Sequence, residues 1–92
     1  MNKSKVYRRV LELDKNRCVI CGSTMGLHIH HVIFRSQGGK TSIDNLMTLC
    51  YRCHAIVHSD KLYIFKVLSK LRGSELFRWE GAYQYYKRRV KS

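Results

Sequence analysis

Histidines at metal-binding spacing are the residues of this sequence best suited to chemistry. His54 and His58 stand at positions i and i+4 of the helix-compatible segment YRCHAIVHSDK, so two imidazoles share one face and can hold a single metal ion. His30 and His31 are neighbours in LHIHHVIF, residues 27–34, a run that otherwise reads as a buried strand. Imidazoles are costly to bury without partners, so the strand histidines need a partner or a function.

The four cysteines form two pairs, Cys18-x2-Cys21 and Cys50-x2-Cys53. In each pair the spacing lets both thiolates reach one tetrahedral ion at a Zn–S distance of about 2.3 Å. Two pairs that use every cysteine predict a structural zinc site with four thiolate ligands, whose closed coordination sphere excludes a catalytic role for that ion. A redox-active CxxC is the alternative, and it is disfavoured because no thioredoxin-like βαβ pattern surrounds the pairs.

The second cysteine pair ends directly before His54, so the predicted zinc would hold the helix against the strand that carries His30 and His31. Three imidazoles from these two elements would leave coordination positions open, as in metal sites that activate their ligands. Chemistry is therefore expected at the histidines and not at the cysteines.

Apolar periodicity and turn residues predict the elements that position these side chains. A short helix is expected over residues 4–15, with Ser4 as its N-cap. A strand over 27–34 is followed by the glycines of QGGK, which permit a reversal, and by a second strand over LMTLC, residues 46–50. The coarse result is a β-hairpin followed by a helix.

Two further helices are predicted over residues 61–72 and 74–91, separated at Gly73, with Ser74 as the N-cap of the second. The last helix carries a stripe of apolar side chains at helical spacing. We expect this stripe to pack against the core and not to stack on nucleic-acid bases. The stripe comprises Leu76, Trp79, Tyr83, Tyr86 and Val90.

The charge balance favours a polyanionic partner. Lysine and arginine number 18 against 6 acidic residues, a formal net charge of +12, and such a surface binds nucleic acid by releasing condensed counterions. The alternatives are a merely basic soluble protein and a ribosomal-type RNA binder. The candidate phosphate contacts, each with simple solvation as the alternative, are Arg35, Arg78, Lys87, Arg88 and Arg89.

The N-terminal segment MNKSKVYRRV is basic and polar, and no apolar run approaches membrane-spanning length. We therefore expect an intracellular, cytoplasmic protein with no membrane partner. Disulfides are disfavoured in that compartment.

The segment HHVIFRSQGGKTSIDNLMTLCYRCHAIVH resembles the HNH endonuclease motif, in the zinc-knuckle subgroup of the ββα-metal (His-Me finger) nucleases. The resemblance covers residues 18–58 and consists of paired histidines, a GG loop, Asn-Leu, Leu-Cys-x2-Cys-His and a further histidine, in that order. It implies an α+β fold with a ββα-metal core at 18–60 and a four-cysteine zinc knuckle. An N-terminal helix and a helical extension at 61–92 would flank this core in one domain, 1–92.

Carried onto this sequence, the resemblance makes His31 the general base, Asn45 the residue that orients it, and His54 a ligand of the catalytic metal. His30 stands where many family members have an aspartate ligand. His58 matches the additional histidine of colicin-type nuclease domains, which completes a three-imidazole site. A site without carboxylate is softer, so it should accept Zn²⁺, Ni²⁺, Co²⁺ or Mn²⁺ more readily than Mg²⁺.

The expected function is therefore a metal-dependent DNA endonuclease that nicks or cuts duplex DNA with low sequence specificity. Compact proteins of this family occur in phage and mobile elements, so the resemblance implies a bacterial or phage-infected host and a phage packaging or recombination protein as candidate partner. A monomer or weak dimer is expected. A non-catalytic zinc-dependent nucleic-acid-binding module and an indiscriminate nuclease toxin are the alternatives. His28 shares a strand face with His30 and is interpreted as a structural histidine, with lining of the site or contact with DNA as the alternative.

Overall fold

The computed structural model describes residues 3–60 and 62–91, and it shows a β-hairpin followed by helices. A four-cysteine cluster joins the hairpin to the first of these helices, and a further helix lies before the hairpin. This arrangement confirms the predicted α+β fold class. The elements are α1 (Lys3–Leu13), β1 (Leu27–His31), β2 (Leu46–Cys50), α2 (Tyr51–Ser59), α3 (Tyr63–Lys70), α4 (Gly73–Arg78) and α5 (Glu80–Lys91), with a 3₁₀ turn at Arg35–Gln37.

The hairpin pairs β1 and β2 antiparallel, with Leu27 opposite Cys50 and His31 opposite Leu46. Every residue of β2 is buried, because apolar side chains cover both of its faces. Val6 and Val10 of α1 pack on Leu46. The other face meets the main core, which is formed by Met47, Leu49, Val57, Ile64, Leu68 and Trp79 among others.

The strand β1 is shorter than the predicted run 27–34, because it ends at His31. Val32 follows as a buried residue, and its N–H donates to the Asn45 carbonyl at 2.8 Å. The chain then leaves the sheet for the 3₁₀ turn. In a continuing strand, alternation would point His30 and His31 to opposite faces. Because β1 ends at His31, both side chains can border one cleft.

Helix α1 begins at Lys3, so Ser4 lies inside the helix and is not its N-cap. The helix ends at Leu13, two residues earlier than predicted, because Lys15 and Asn16 adopt positive φ angles of 58° and 54°. Such a conformation ends a right-handed helix.

The predicted helix 74–91 is wrong in one respect, because it consists of two helices that meet at Trp79. The Trp79 indole is buried and donates to the Leu46 carbonyl at 2.9 Å. Helix α4 begins at Gly73, so Ser74 is within it and not its N-cap. The expected packing of the apolar stripe is seen for Trp79, Tyr83 and Tyr86, which lie in or against the main core, whereas Val90 is exposed.

The predicted start of the preceding helix at residue 61 lies outside the described residues, and α3 begins at Tyr63. None of the described helices combines the length and the apolar character that crossing a bilayer requires.

Candidate metal and catalytic site

The four cysteines converge from three places in the fold. Cys18 and Cys21 lie in the turn before β1, Cys50 ends β2, and Cys53 lies in the first turn of α2. Their sulfur atoms all lie within 4.8 Å of one another, and the Cys21 and Cys50 sulfurs are 3.6 Å apart. Ligands at about 2.3 Å around a tetrahedral ion stand about 3.8 Å apart, so this cluster has the dimensions of a structural zinc site.

The backbone prepares the cluster for a cation. Cys50 is the N-cap of α2, and its Sγ accepts a hydrogen bond from the Cys53 N–H at 3.5 Å. That N–H lowers the pKa of the Cys50 thiol to about 7. Burial raises the pKa of Cys53, so a bound cation would be needed to hold this thiol as a thiolate. The four cysteines form no disulfide with one another.

The histidines form a second group, between β1 and α2. Ring nitrogens of His30, His54 and His58 all lie within 4.8 Å of one another. His30 comes from the middle of β1, and the two α2 imidazoles bring their Nε2 atoms to 3.0 Å, as the i, i+4 spacing predicts. The structure therefore brings together the three residues predicted as ligands of a catalytic metal.

The Nε2 atom of His30 indicates that this group suits a metal ion. The His30 side chain is buried, with the residue 2% exposed, and its Nε2 has no hydrogen-bond partner among the described residues. Such an orphaned group is costly unless a ligand satisfies it. Burial, followed by the charges of His54 and His58, lowers the pKa of His30 to about 3. The ring is therefore neutral and offers the lone pair that a metal needs.

Two further rings hold the α2 imidazoles in place. His28 stacks on His54, with ring centroids 5.2 Å apart and planes 14° apart. Phe34 stacks on His58 at the same distance and 28°, and meets His30 edge-on at 5.7 Å. His28 was predicted to be structural, with lining of the site as the alternative, and Phe34 was not predicted, because stacking across elements leaves no mark on residue spacing.

His31 borders the same cleft as the three-histidine group. A cavity of about 200 Å³ is lined by residues from β1, the 3₁₀ turn and α2. Burial, followed by the charges of Arg35 and Lys3, lowers the pKa of His31 below its ordinary value. The imidazole is thus neutral near pH 7, as a proton acceptor must be. The lining residues are Ile29, His30, His31, Phe34, Arg35, His54 and His58.

Asn45 lies on the loop side of His31 and makes all its side-chain bonds to backbone. Its Oδ1 accepts from the Ile33 N–H at 2.8 Å, and its Nδ2 donates to the carbonyls of Ile33 and Lys40 at 3.1 and 2.9 Å. A hydrogen bond to His31 comes instead from Thr41, whose Oγ1 lies 3.0 Å from Nε2. Sequence reasoning missed Thr41, because a hydroxyl in a polar loop carries no spacing signal.

The comparison with known proteins agrees with this geometry. Residues 18–60 match the family described as HNH endonuclease. A protein of Nostoc sp. strain PCC 7120 named Anaredoxin is 36% identical over 61 residues, which cover 65% of this chain and 80% of that protein. The chain belongs to the HNH endonuclease family.

Two other relatives of this HNH protein have nuclease names. "Probable mobile endonuclease C" of Enterobacteria phage T4 is 27% identical over 77 residues, covering 84% of this chain and 33% of that protein. "Type IV methyl-directed restriction enzyme EcoKMcrA" of Escherichia coli K12 is 34% identical over 73 residues, covering 62% and 26%. The chain thus spans only about a third and a quarter of these two relatives.

The basic residues around the HNH core differ in their availability to a phosphate. Arg35 is exposed at the rim of the His31 cavity. On α5, Arg88 and Arg89 are exposed, and the Arg89 guanidinium lies 3.6 Å from the Tyr85 ring centroid. Lys87 is half-buried beside Tyr83, with its Nζ 5.8 Å from that ring. Lys3, which sequence reasoning did not select, acts electrostatically on His31 from α1.

Arg78, predicted as a phosphate contact, is engaged inside the protein. Its guanidinium forms an ion pair with Asp14 at 2.5 Å and donates to the carbonyls of Ile43 and Leu46 at 2.9 and 3.0 Å. It also lies 4.3 Å from the Trp79 ring centroid. Arg78 therefore joins α4 to β2 and to the turn after α1, and each of its three guanidinium nitrogens already donates a hydrogen bond inside the protein.

Proposed function

We propose that this HNH protein is a metal-dependent endonuclease that hydrolyses phosphodiester bonds of duplex DNA. The observation that carries the proposal is the buried, unpartnered Nε2 of His30 beside the two imidazoles of α2, in a cleft that His31 also borders. A chain that only bound nucleic acid would need neither a three-histidine group nor a fourth histidine beside it.

In this proposal His31 takes the proton from the water that attacks phosphorus. A neutral imidazole is suited to this transfer at neutral pH, and the lowered pKa of His31 keeps the ring in that form. His30, His54 and His58 would hold a divalent ion, which when bound supplies Lewis-acid stabilisation of the charge that develops on phosphate and the departing oxygen. The expected products carry 5′-phosphate and 3′-hydroxyl ends.

The substrate follows from the charge of the chain and the position of its cations. Lys3 and Arg35 act on His31 from α1 and from the 3₁₀ turn, so the field of two cations would attract a phosphate to the cleft. Lys87, Arg88 and Arg89 would extend the contact along the DNA backbone. Phosphate contacts fix register but read no bases, so low sequence specificity is expected.

The biological setting belongs to the same proposal. The T4 relative is named a mobile endonuclease, which supports a phage or mobile-element role with a packaging or recombination protein as partner. One histidine cleft would cleave one DNA strand at a time. A monomer would therefore nick DNA, and a weak dimer or a second visit would be required to cut both strands.

A zinc-dependent nucleic-acid-binding module that does not cut is the second candidate function. The name Anaredoxin, carried by the Nostoc relative, does not describe a nuclease, so family membership alone leaves cleavage to be tested. The two functions share the cysteine cluster and the basic surface. They differ in whether the histidine group takes part in cleavage of the nucleic acid.

Plasmid nicking separates the two functions. Supercoiled plasmid is incubated with wild type and with His31→Ala, each with Mg²⁺, Mn²⁺, Ni²⁺, Co²⁺ or Zn²⁺ and with a chelator. We expect nicking by wild type in at least one metal and a loss of about a hundredfold or more in His31→Ala. Circular dichroism and zinc content confirm that the variant is folded. Wild type that binds plasmid but leaves it intact in all five metals would support the binding module.

A further inference from the structure

The loop between β1 and β2 is closed against the end of β1 by backbone contacts. Asn45 bonds both the N–H and the carbonyl of Ile33, and on the other side the carbonyl of Lys40. At Gly39 a Cβ atom would lie 1.8 Å from the Ile33 oxygen, so only glycine permits this approach. The position of Thr41, directly after Lys40, is therefore fixed relative to His31.

This closure places a hydroxyl on one nitrogen of His31. Thr41 is half-buried, and its Oγ1 lies 3.0 Å from His31 Nε2. A neutral imidazole has one N–H and one lone pair, and a threonine hydroxyl can donate or accept. The direction of this one hydrogen bond therefore decides which ring nitrogen keeps the lone pair.

We propose that Thr41 is a positioning residue for His31, whose hydroxyl accepts a hydrogen bond from Nε2–H and leaves Nδ1 as the basic nitrogen. The opposite direction would use the only lone pair of the ring and leave His31 unable to accept a proton. This inference rests on the proposed function of His31 as general base. It assigns to Thr41 the direct orienting contact, while Asn45 acts through the loop that carries Thr41.

Three variants of the full chain test this assignment. Thr41→Val keeps the shape of the side chain and removes the hydroxyl, Thr41→Ser keeps the hydroxyl, and Thr24→Val makes the same change in an exposed loop. Cleavage of a duplex oligonucleotide gives kcat and KM. Nitrogen-15 NMR of zinc-loaded protein gives the tautomer of His31 independently of cleavage.

We expect kcat of Thr41→Val to fall at least about tenfold with KM unchanged, because outer-shell hydrogen bonds to functional histidines have effects of this order. Thr41→Ser should recover most of the loss, and Thr24→Val should match wild type. By NMR, wild type should hold His31 as the Nε2–H tautomer, and Thr41→Val should show a mixture of both tautomers.

Two results would overturn the role of Thr41: an Nδ1–H tautomer in wild type, or wild-type kcat and an unchanged tautomer in Thr41→Val. Thr41→Ser as impaired as Thr41→Val would also reject it, since the hydroxyl would then not be the active feature. If wild type does not cleave, the proposed nuclease function fails separately, and the tautomer measurement still decides whether Thr41 fixes the ring.

Discussion

At the residue scale, the charge state of His31 predicts the pH dependence of cleavage. Its pKa is lowered by burial and by Arg35 and Lys3, so the neutral, proton-accepting form persists to more acidic pH than the ordinary value of about 6.5. Activity should be lost only as pH falls through this lowered pKa. We expect the acid limb of kcat/KM to have its midpoint below about 6.5.

Arg35→Gln removes one cause of the shift, so the midpoint should move upward toward the ordinary histidine value. Arg88→Gln is the matched control, because this exposed arginine on α5 is not among the causes of the shift at His31. A wild-type midpoint above the ordinary value, or the same displacement in both variants, would show that the acid limb does not report His31.

Also at the residue scale, the stacked ring of Phe34 should determine how tightly the histidine group holds a metal. Phe34 lies against His58 and meets His30 edge-on, so Phe34→Ala frees two of the three imidazoles to rotate. We expect affinity for Ni²⁺ to fall about 10- to 100-fold, the usual effect of losing an outer-shell contact. Calorimetric titration of protein whose cysteine site is filled with zinc measures this affinity.

Phe77→Ala provides the comparison, since this phenylalanine is 83% exposed on α4 and contacts neither imidazole. Equal Ni²⁺ affinity in wild type and Phe34→Ala would show that the rings are held by other means.

At the scale of elements, the closure of the β1–β2 loop should be sensitive to a side chain at Gly39. Gly39→Ala puts a Cβ at 1.8 Å from a backbone oxygen, so the loop must open and Thr41 must leave His31. We expect loss of cleavage while the cysteine cluster still binds zinc. Gly81→Ala, in α5, meets no atom within 4 Å and should leave stability unchanged or raised. Full activity in Gly39→Ala would mean that loop closure does not position His31.

The elements show how far local pattern predicts this fold. Three predictions are correct because each depends on residues a few positions apart. They are the strand at 46–50, the paired cysteines as one cluster, and His54 and His58 on one face of a helix. The break at Trp79 was missed, since it depends on an indole that bonds a carbonyl 33 residues earlier. Periodicity along α4 and α5 cannot show where the chain must bend to bury such a ring.

The residues of the candidate site also differ in whether the local sequence pattern predicts them. His30, His54 and His58 could be grouped from spacing and motif, and the structure brings their nitrogens together. Thr41 and Phe34 could not be found, because their roles depend on how the loop closes and which rings meet in space.

At the scale of the whole molecule, the pair of Arg78 and Asp14 joins the turn after α1 to the end of α4, 64 residues later in the chain. The Asp14 side chain is 3% exposed and that of Arg78 15%, and Asp14 also accepts from the Thr48 N–H at 2.9 Å. Arg78→Leu leaves a buried carboxylate without its cation, which we expect to lower the free energy of unfolding by about 3 kcal/mol.

Chemical denaturation of zinc-loaded protein measures this loss. Arg9→Leu removes an exposed pair with Glu12 and should have little effect, since such pairs are largely solvent-screened. A similarly small change in the free energy of unfolding of both variants would show that Arg78 behaves as a solvated surface cation.

The most direct test of the nuclease proposal counts metal ions and cleavage in the same titration. Chelator-treated protein receives zinc until its first site is filled, a site that Cys50→Ser should abolish, and then receives Ni²⁺ or Mn²⁺ while bound ions and nicked plasmid are both measured. We predict that nicking appears with the second ion per chain and is absent in His54→Ala at any loading. Intact plasmid with two ions bound, or full nicking with the first ion alone, would contradict catalysis at the three-histidine site.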